Sequence, residues 1–324
     1  MKMFRRALLG AALALGAAPA LAQNFPSQPI TMVIPFAPGG PTDVVGRLLA
    51  DVMGRDLGQQ VLVQNVGGAG GTIGVNRVVQ ARNDGYTILY TNIGIATQPT
   101  LYRRLPYNPL TDLEPFGLVT PTPMVITVRP DFPGTTLADF IRFARERRDG
   151  VNLANAGLGS ASQLCGTLLQ AQLGINFTTV PFTGSGPIFP QLIAGRLDVY
   201  CDQTTSSLPF VQDGRIKPLA MATPARLTVA PNIPTAAEAG LPGFEVSVWH
   251  GMYAPRGTAR PVIDRLNAAL RVAIQDRVVT ERLASLASPA EPLERVTPEA
   301  HRAHLAAEIE RWRPILQAAG QFAD

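Results

Sequence analysis

An apolar run, a glycine turn and a proline-started helix lie together near the start of the chain, in ITMVIPFAPGGPTD at residues 30–43. Ile30–Ile34 is apolar or β-branched and predicts a buried strand. The Pro- and Gly-rich run at 35–40 suits neither strand nor helix, whereas Pro41 suits a first helical turn, where a missing N–H costs nothing. Such a corner aims free N–H groups and a positive dipole end at one point, which predicts an anion site. The alternative is a tight turn without a ligand.

The same alternation of elements recurs along the chain and predicts an α/β fold. Predicted strands at 60–64 and 86–90 enclose a predicted helix at 73–81, which indicates a parallel sheet with helices on both faces. A second alternation begins near residue 136, and its turn at 181–187 resembles the one at 35–41. We therefore expect two doubly wound α/β lobes joined by crossover strands around a central cleft.

The order of the elements also predicts which residues form each lobe. Two long helices, predicted at 261–275 and 298–319, follow the second alternation and are expected to return to the first lobe. That return requires crossovers near 123 and 248. We expect lobe I to comprise 23–123 and 249–324, and lobe II to comprise 124–248.

Residues 1–22 have the pattern of a secretory signal peptide. Lys2, Arg5 and Arg6 precede an apolar run, and Ala20-Leu21-Ala22 places small residues at the −3 and −1 positions, so cleavage is expected after Ala22. The whole chain carries a net charge of +4. The leader holds three of the positive charges and no negative one, which leaves about +1 and gives no support for nucleic-acid binding.

Candidates for catalysis are few. The chain has three histidines, and no GxSxG, HExxH or CxxC motif occurs. His301, His304 and Glu308 share one helix face, which imitates a metal site but is expected to be a solvated face. His250 is expected to pack in a crossover strand rather than line the cleft. We therefore expect no enzyme activity, no cofactor and no metal.

Two loops of the second lobe carry the small polar residues that hold anions. Gly157, Gly159, Ser160 and Ser162 resemble a helix start with hydroxyl caps, which needs no ligand by itself. Thr183-Gly184-Ser185 lies in the same lobe and favours binding. In the first lobe we expect the turn to need glycine at position 40, because a branched side chain would crowd the anion and resist the backbone geometry.

Motifs along the whole mature chain resemble one family. They include PITMVIPFAPGGPTDVVGRLLA, GAGGTIG, DGYTILY, VPFTGSGP, YCDQTT and IPTAAEAGLPGFEV. The chain is similar to the substrate-binding proteins of tripartite tricarboxylate transporters, also called Bug receptors. The resemblance implies a periplasmic-binding-protein-like fold and a periplasmic protein whose two lobes close on a small carboxylate. The ligand-binding residues expected from the turn and from these loops are Phe36, Gly39, Gly40, Thr42, Asp43, Asn92, Gly94, Gly157, Gly159, Ser160, Ser162, Thr183, Gly184, Ser185 and Asp202.

The partners implied by the resemblance are the membrane subunits of a transporter, and the protein is expected to act as a monomer. A ligand-sensing adaptor that docks on a receptor ectodomain is an alternative. A secreted hydrolase is a second alternative, and it would need a base near Ser160, Ser162 or Ser185. The sequence does not show such a base.

The two cysteines, Cys165 and Cys201, remain after export into an oxidising compartment, where a disulfide is possible. In a lobe with strand order 2-1-3, the helix that carries Cys165 starts beside the end of the strand that carries Cys201. We expect a disulfide between them. The alternative is two buried thiols that pack as small apolar groups.

Overall fold

The computed structural model describes residues 25–323, so the predicted signal peptide at 1–22 and its cleavage after Ala22 lie outside the described part. Ten helices and nine strands form this part of the chain. In order they are β1 (Ile30–Ile34), α1 (Pro41–Leu57), β2 (Val61–Asn65), α2 (Thr72–Val79), β3 (Thr87–Asn92), α3 (Gly94–Leu101), β4 (Leu113–Val128), α4 (Leu137–Arg147), β5 (Asn152–Asn155), α5 (Ala161–Leu173), β6 (Thr178–Pro181), α6 (Ile188–Ile193), β7 (Val199–Gln203), α7 (Thr204–Gln212), β8 (Lys217–Met221), β9 (Ser247–Pro255), α8 (Arg260–Gln275), α9 (Arg277–Ser285) and α10 (Pro298–Ala319).

Two sets of three parallel strands have the same internal order. The first strand group has the order β2-β1-β3 and the second strand group the order β6-β5-β7. Between them lie β9 and β4, which complete the path β2-β1-β3-β9-β4-β7-β5-β6, while β8 pairs with β4 off this path. The predicted α/β class is confirmed. In both groups the strand that comes first in the chain is central, so loops from the carboxyl ends of each group open toward a shared edge.

Strand β4 pairs with strands of both halves of the sheet. Its segment Leu113–Pro123 runs antiparallel to β9, and its segment Met124–Val128 pairs with β7 and β8. The sequence pattern predicts two separate extended segments here, at 116–119 and 124–128. One continuous strand forms instead, because register shifts after Pro115 and Leu118 absorb the prolines and the glycine that interrupt the apolar pattern.

Three helices were not predicted from the sequence. Helix α3 starts at a glycine and contains Pro99, and α7 begins with the low-propensity run Thr204–Ser207. Helix α9 follows α8 after a single residue, Asp276, whose side chain caps it by accepting from the N–H groups of Val278 and Val279. Helix α1, by contrast, was predicted by its apolar stripe, and its Val45 and Leu49 are fully buried.

The chain ends in a short tail that contacts both halves of the fold. The Ala323 N–H donates to the Leu101 carbonyl at 2.8 Å, and the Arg103 N–H donates to the Ala323 carbonyl at 2.9 Å. Gln321 Oε1 accepts from Gln163 Nε2 of α5 at 2.6 Å. The tail therefore lies beside the end of α3 and is hydrogen-bonded to a helix of the second strand group.

The predicted disulfide is present between Cys165 in α5 and Cys201 in β7. Their Cα atoms are 6.1 Å apart, within the range that a disulfide prefers. Strand β5 lies between β6 and β7, as the argument from strand order required. The disulfide links α5, the helix that follows the central strand β5, to the neighbouring strand β7.

The face of α10 that carries His301, His304 and Glu308 is not solvated, so that expectation was wrong. His301 is fully buried, and its Nε2 lies 2.8 Å from the Tyr253 hydroxyl. Glu308 Oε2 accepts from the indole N–H groups of Trp249 and Trp312, each at 3.0 Å. This polar face packs on β9. Within 25–323 no cluster of three potential metal ligands occurs, and no helix is long and apolar enough to cross a membrane.

His250 in β9 is fully buried and stacks on Tyr90 with ring centroids 5.6 Å apart. Burial lowers its pKa to about 3, despite the nearby backbone of Thr120. In the unfolded chain the ordinary pKa is 6.5. Between pH 6.5 and 3 the unfolded chain therefore binds a proton that the folded chain does not, and folding stability falls as the pH falls.

We expect His250→Phe, which keeps a ring against Tyr90, to remove this loss. The free energy of unfolding of the wild type relative to the variant should fall by about 2 kcal/mol between pH 7.5 and pH 5.0. The pKa of Asp202 is raised to about 6, so its titration stabilises both proteins as the pH falls. This contribution is the same in the wild type and the variant and does not affect the difference between them. Urea unfolding of both proteins at the two pH values measures this difference in the free energy of unfolding. An equal free-energy change in both proteins would contradict the assignment.

Candidate functional site

A small cavity lies where the carboxyl ends of the two strand groups meet. Twelve residues line it: Phe36, Gly40, Pro41, Thr42, Asn92, Ala156, Ser160, Ala161, Ser162, Ser185, Asp202 and Gln203. The volume open to the centre of a water molecule is about 10 Å³, which is close to the room that one water needs. The surrounding loops therefore lie closed against one another.

Helix α1 points its N-terminus at this cavity. Gly40 is its N-cap, no side chain caps the first turn, and Pro41 follows directly. The predicted corner of strand, turn and helix is thus present. Within the turn, Gly39 has φ of +79° and needs glycine, whereas Gly40 has φ of −85° and ψ of 174°. The backbone argument for glycine at position 40 was therefore wrong, because any residue adopts that conformation.

Asp43 supports the turn instead of lining the cavity. Its Oδ2 accepts from the Gly39 N–H at 2.9 Å and from Arg47 Nε at 3.0 Å, and its Oδ1 accepts from Asn65 Nδ2 at 2.9 Å. Burial alone would raise the pKa of this carboxyl, but the hydrogen bonds and the charge of Arg47 outweigh burial and hold it below its ordinary value. An ionised Asp43 fixes the turn in front of α1.

The second strand group supplies hydroxyl groups. Ser160 caps α5, and its Oγ accepts from the Gln163 N–H at 3.2 Å. The Ser162 Oγ accepts from the Ala156 N–H at 2.9 Å and lies 3.3 Å from the Ser160 Oγ. Both serines are 2% exposed and line the cavity. A helix N-terminus and two hydroxyl groups therefore face α1 from the opposite side.

Asn92 and Asp202 lie at the cavity, but not in loops as expected. Asn92 is the last residue of β3, and its Oδ1 accepts from the Gly94 N–H at 3.0 Å. Its Nδ2 lies 3.4 Å from the Thr42 Oγ1, across the cavity wall. Asp202 lies inside β7. Strands hold both side chains more rigidly than loops would.

Hydrogen bonds to backbone carbonyl groups join the two halves around the cavity. The Ala37 N–H donates to the Thr183 carbonyl at 3.0 Å, the Thr97 hydroxyl to the Gly159 carbonyl at 2.9 Å, and the Tyr102 hydroxyl to the Leu158 carbonyl at 2.8 Å. We call these three hydrogen bonds the closure contacts.

Glycines allow this close approach. A Cβ on Gly184 would lie 2.6 Å from the Ala37 nitrogen, and one on Gly157 would lie 2.8 Å from the Gly70 nitrogen. A Cβ on Gly94 would lie 2.9 Å from the Gly159 carbonyl oxygen. Any larger residue at these positions would force the backbones apart.

Of the fifteen ligand-binding residues expected from the sequence, the structure brings eight to the cavity wall: Phe36, Gly40, Thr42, Asn92, Ser160, Ser162, Ser185 and Asp202. The other seven lie behind the wall or at the closure contacts: Gly39, Asp43, Gly94, Gly157, Gly159, Thr183 and Gly184. The sequence reasoning missed Pro41, Ala156, Ala161 and Gln203 as lining residues. Gln203 follows Asp202 directly in the YCDQTT motif, and this position next to a predicted site residue could have identified it.

Comparison with known proteins gives a consistent result. Residues 45–321 match the family model described as the tripartite tricarboxylate transporter family receptor. Solved structures that are similar to this chain include the following three. The periplasmic binding protein BugD is 41% identical with a TM-score of 0.90, over 93% of this chain and all of that chain.

The other two are from Rhodopseudomonas palustris. MatC with bound malate is 38% identical with a TM-score of 0.87, over 90% of this chain and 99% of that chain. A second protein, with adipate, is 32% identical with a TM-score of 0.86, over 92% and 99% of the two chains.

Proposed function

The chain belongs to the tripartite tricarboxylate transporter receptor family, and from this premise we propose that it is an exported solute-binding protein for a small organic carboxylate. It captures the ligand between two lobes and delivers it to the membrane subunits of a transporter. Export rests on the leader pattern at 1–22 with cleavage after Ala22. The similar protein BugD is a periplasmic binding protein, which supports the periplasm as the compartment of this chain. The protein acts as a monomer and has no catalytic activity.

The chemistry of the cavity wall carries this proposal. The N-termini of α1, α5 and α7 all contribute residues to the wall, and none of its twelve residues is Lys, Arg or His. Helix N-termini hold anions through N–H groups and the dipole. Each hydrogen bond to a charged group contributes roughly 1.5–3 kcal/mol. A few such bonds support a dissociation constant near the micromolar level, which corresponds to about −8 kcal/mol.

The site residues divide into two roles in this proposal. The eight predicted residues at the wall contact the ligand or the waters around it. Gly39 and Asp43 hold the first turn, and the remaining five glycine-loop residues bring the lobes together at the closure contacts.

We assign 23–123 and 249–324 to lobe I and 124–248 to lobe II. The assignment is supported by β4, which changes partners from β9 to β7 at Pro123 and Met124, and by β9, which begins at Ser247. Since the closed cavity has room for only about one water, a carboxylate enters only when the lobes separate. Bound ligand that touches both lobes then favours the closed state.

Calorimetry with a carboxylate panel tests the proposal. Malate and adipate are the first probes, since similar proteins were solved with them, followed by succinate, citrate and aromatic acids. We expect at least one to bind with a dissociation constant near the micromolar level and to reduce the radius of gyration in small-angle scattering. The bound acid should be recovered unchanged. If no carboxylate binds at millimolar concentration, the proposal is wrong; turnover of a bound acid would favour a hydrolase.

A further inference from the structure

Asp202 is the one ionisable side chain among the twelve that line the cavity, and it is 1% exposed. The binding of a carboxylate does not by itself explain why a buried aspartate lies in the cavity wall. An ionised aspartate repels a carboxylate ligand, and burying its charge is costly unless something compensates it.

The hydrogen bonds that hold Asp202 come from neutral donors. The Ser185 hydroxyl donates to its Oδ1 at 3.2 Å, and the Ser206 hydroxyl donates to its Oδ2 at 2.6 Å. The Tyr200 hydroxyl donates to the Ser185 Oγ at 2.6 Å, which leaves the Ser185 proton for Asp202. Among the described residues Asp202 has no ion-pair partner in Arg, Lys or His.

The carboxylate keeps acceptor capacity after these bonds. Two carboxylate oxygens offer about four lone-pair sites. Ser185 and Ser206 use two of them, and the neighbouring Tyr200 hydroxyl gives its single proton to Ser185 rather than to Asp202. Burial raises the pKa of Asp202 to about 6, so near neutral pH the group is mostly ionised and gains from a further donor.

Asp202 also lies close to the anion corner of α1. Ser185 bonds to Asp202, and its Cβ is 3.4 Å from the position that a Cβ on Gly40 would take. A single serine thus separates the N-cap of α1 from the carboxyl group. A ligand whose carboxylate lies at that N-terminus presents the adjacent carbon, not its distal end, to Asp202.

We propose that Asp202 determines ligand choice by accepting a hydrogen bond from a hydroxyl or ammonium group on the carbon next to the bound carboxylate. The site thereby prefers 2-hydroxy and 2-amino acids over acids of the same skeleton that lack this donor. The preference has an energetic reason. The donor satisfies a buried carboxylate, whereas an unsubstituted acid leaves that carboxylate buried and uncompensated. This inference rests on the proposed function.

Three ligands with the same four-carbon skeleton test it: L-malate, L-aspartate and succinate. Calorimetry at pH 7.5 should show the wild type binding malate or aspartate at least about 10-fold more tightly than succinate. Malate and aspartate distinguish a hydroxyl from an ammonium donor. In Asp202→Asn the preference over succinate should fall below about 3-fold, with succinate affinity unchanged or improved.

Asp213→Asn is the matched control, since Asp213 is exposed at the far end of α7, and it should keep the wild-type preference. Equal wild-type affinity for succinate and both donors overturns the inference even if Asp202→Asn does not fold. A full preference retained in a folded Asp202→Asn overturns it too. In either case the proposed function stands, because carboxylates still bind. Binding of no carboxylate at all overturns both.

Discussion

Replacing Gly186 by alanine is expected to weaken carboxylate binding by at least about 100-fold while leaving the fold intact. A Cβ at this position would lie 2.0 Å from the Pro38 carbonyl oxygen, which belongs to the turn before α1. Gly186 itself belongs to the loop before α6, so the clash arises only when the two loops meet. The φ of Gly186 is not positive, and alanine therefore fits its backbone conformation as long as the two loops are apart. Losing the contacts of one lobe removes two or more charge-assisted hydrogen bonds.

Gly150→Ala is the control for this variant. Gly150 also has an ordinary φ, and a Cβ there meets only the Arg147 Cβ at 3.7 Å. Calorimetry gives the affinities, and small-angle scattering reports closure. We expect Gly186→Ala to keep the larger radius of gyration with ligand present and Gly150→Ala to contract as the wild type does. Wild-type affinity in a folded Gly186→Ala would show that ligand binding does not need these loops to meet.

Removing the disulfide between Cys165 and Cys201 is expected to lower the free energy of unfolding by roughly 3–4 kcal/mol, from the closed loop of the chain-entropy model. The two cysteines are 36 residues apart. This is a large share of the 5–15 kcal/mol that stabilises a typical domain. The measurement is urea unfolding of the oxidised wild type, of the same protein reduced, and of the double variant with alanine at both positions.

The reduced wild type separates the bond from the side chains. It should unfold well before the oxidised protein and close to the double variant, which also loses the packing of two buried sulfur atoms. Equal urea midpoints for the oxidised and reduced wild type would contradict the expectation.

The fold was predictable where local patterns are strong. Ile30–Ile34 is apolar or β-branched throughout and Pro41 marks a helix start, and both elements are present at those residues. Helices α3 and α7 were missed because Pro99 and the serines and threonines of α7 have low helix propensity. Tertiary packing overrides such preferences: α3 has six buried residues, including the polar Gln98.

The site was predictable as a set of loops, but not residue by residue. Asp43 in the first turn of α1 and Asp202 near the end of β7 were both expected to bind the ligand, yet one supports a turn and the other lines the cavity. The difference arises from Arg47 and Asn65, which hold Asp43 from a neighbouring turn and a neighbouring strand. Likewise, Gly70 lies within 3 Å of the Cβ position of Gly157 only because two distant loops meet. Long-range contacts of this kind leave no local pattern.

The C-terminal tail has a practical consequence for labelling. Gln321 bonds to Gln163 of α5, while Ala323 pairs with the backbone on either side of Tyr102. In the proposed closure, a purification tag fused at this end therefore emerges from a segment that touches both lobes. For the same reason, a fluorescent dye attached through Gln321→Cys is expected to change its surroundings in the proposed opening of the lobes. The tail is thus the natural position for an optical sensor of carboxylates.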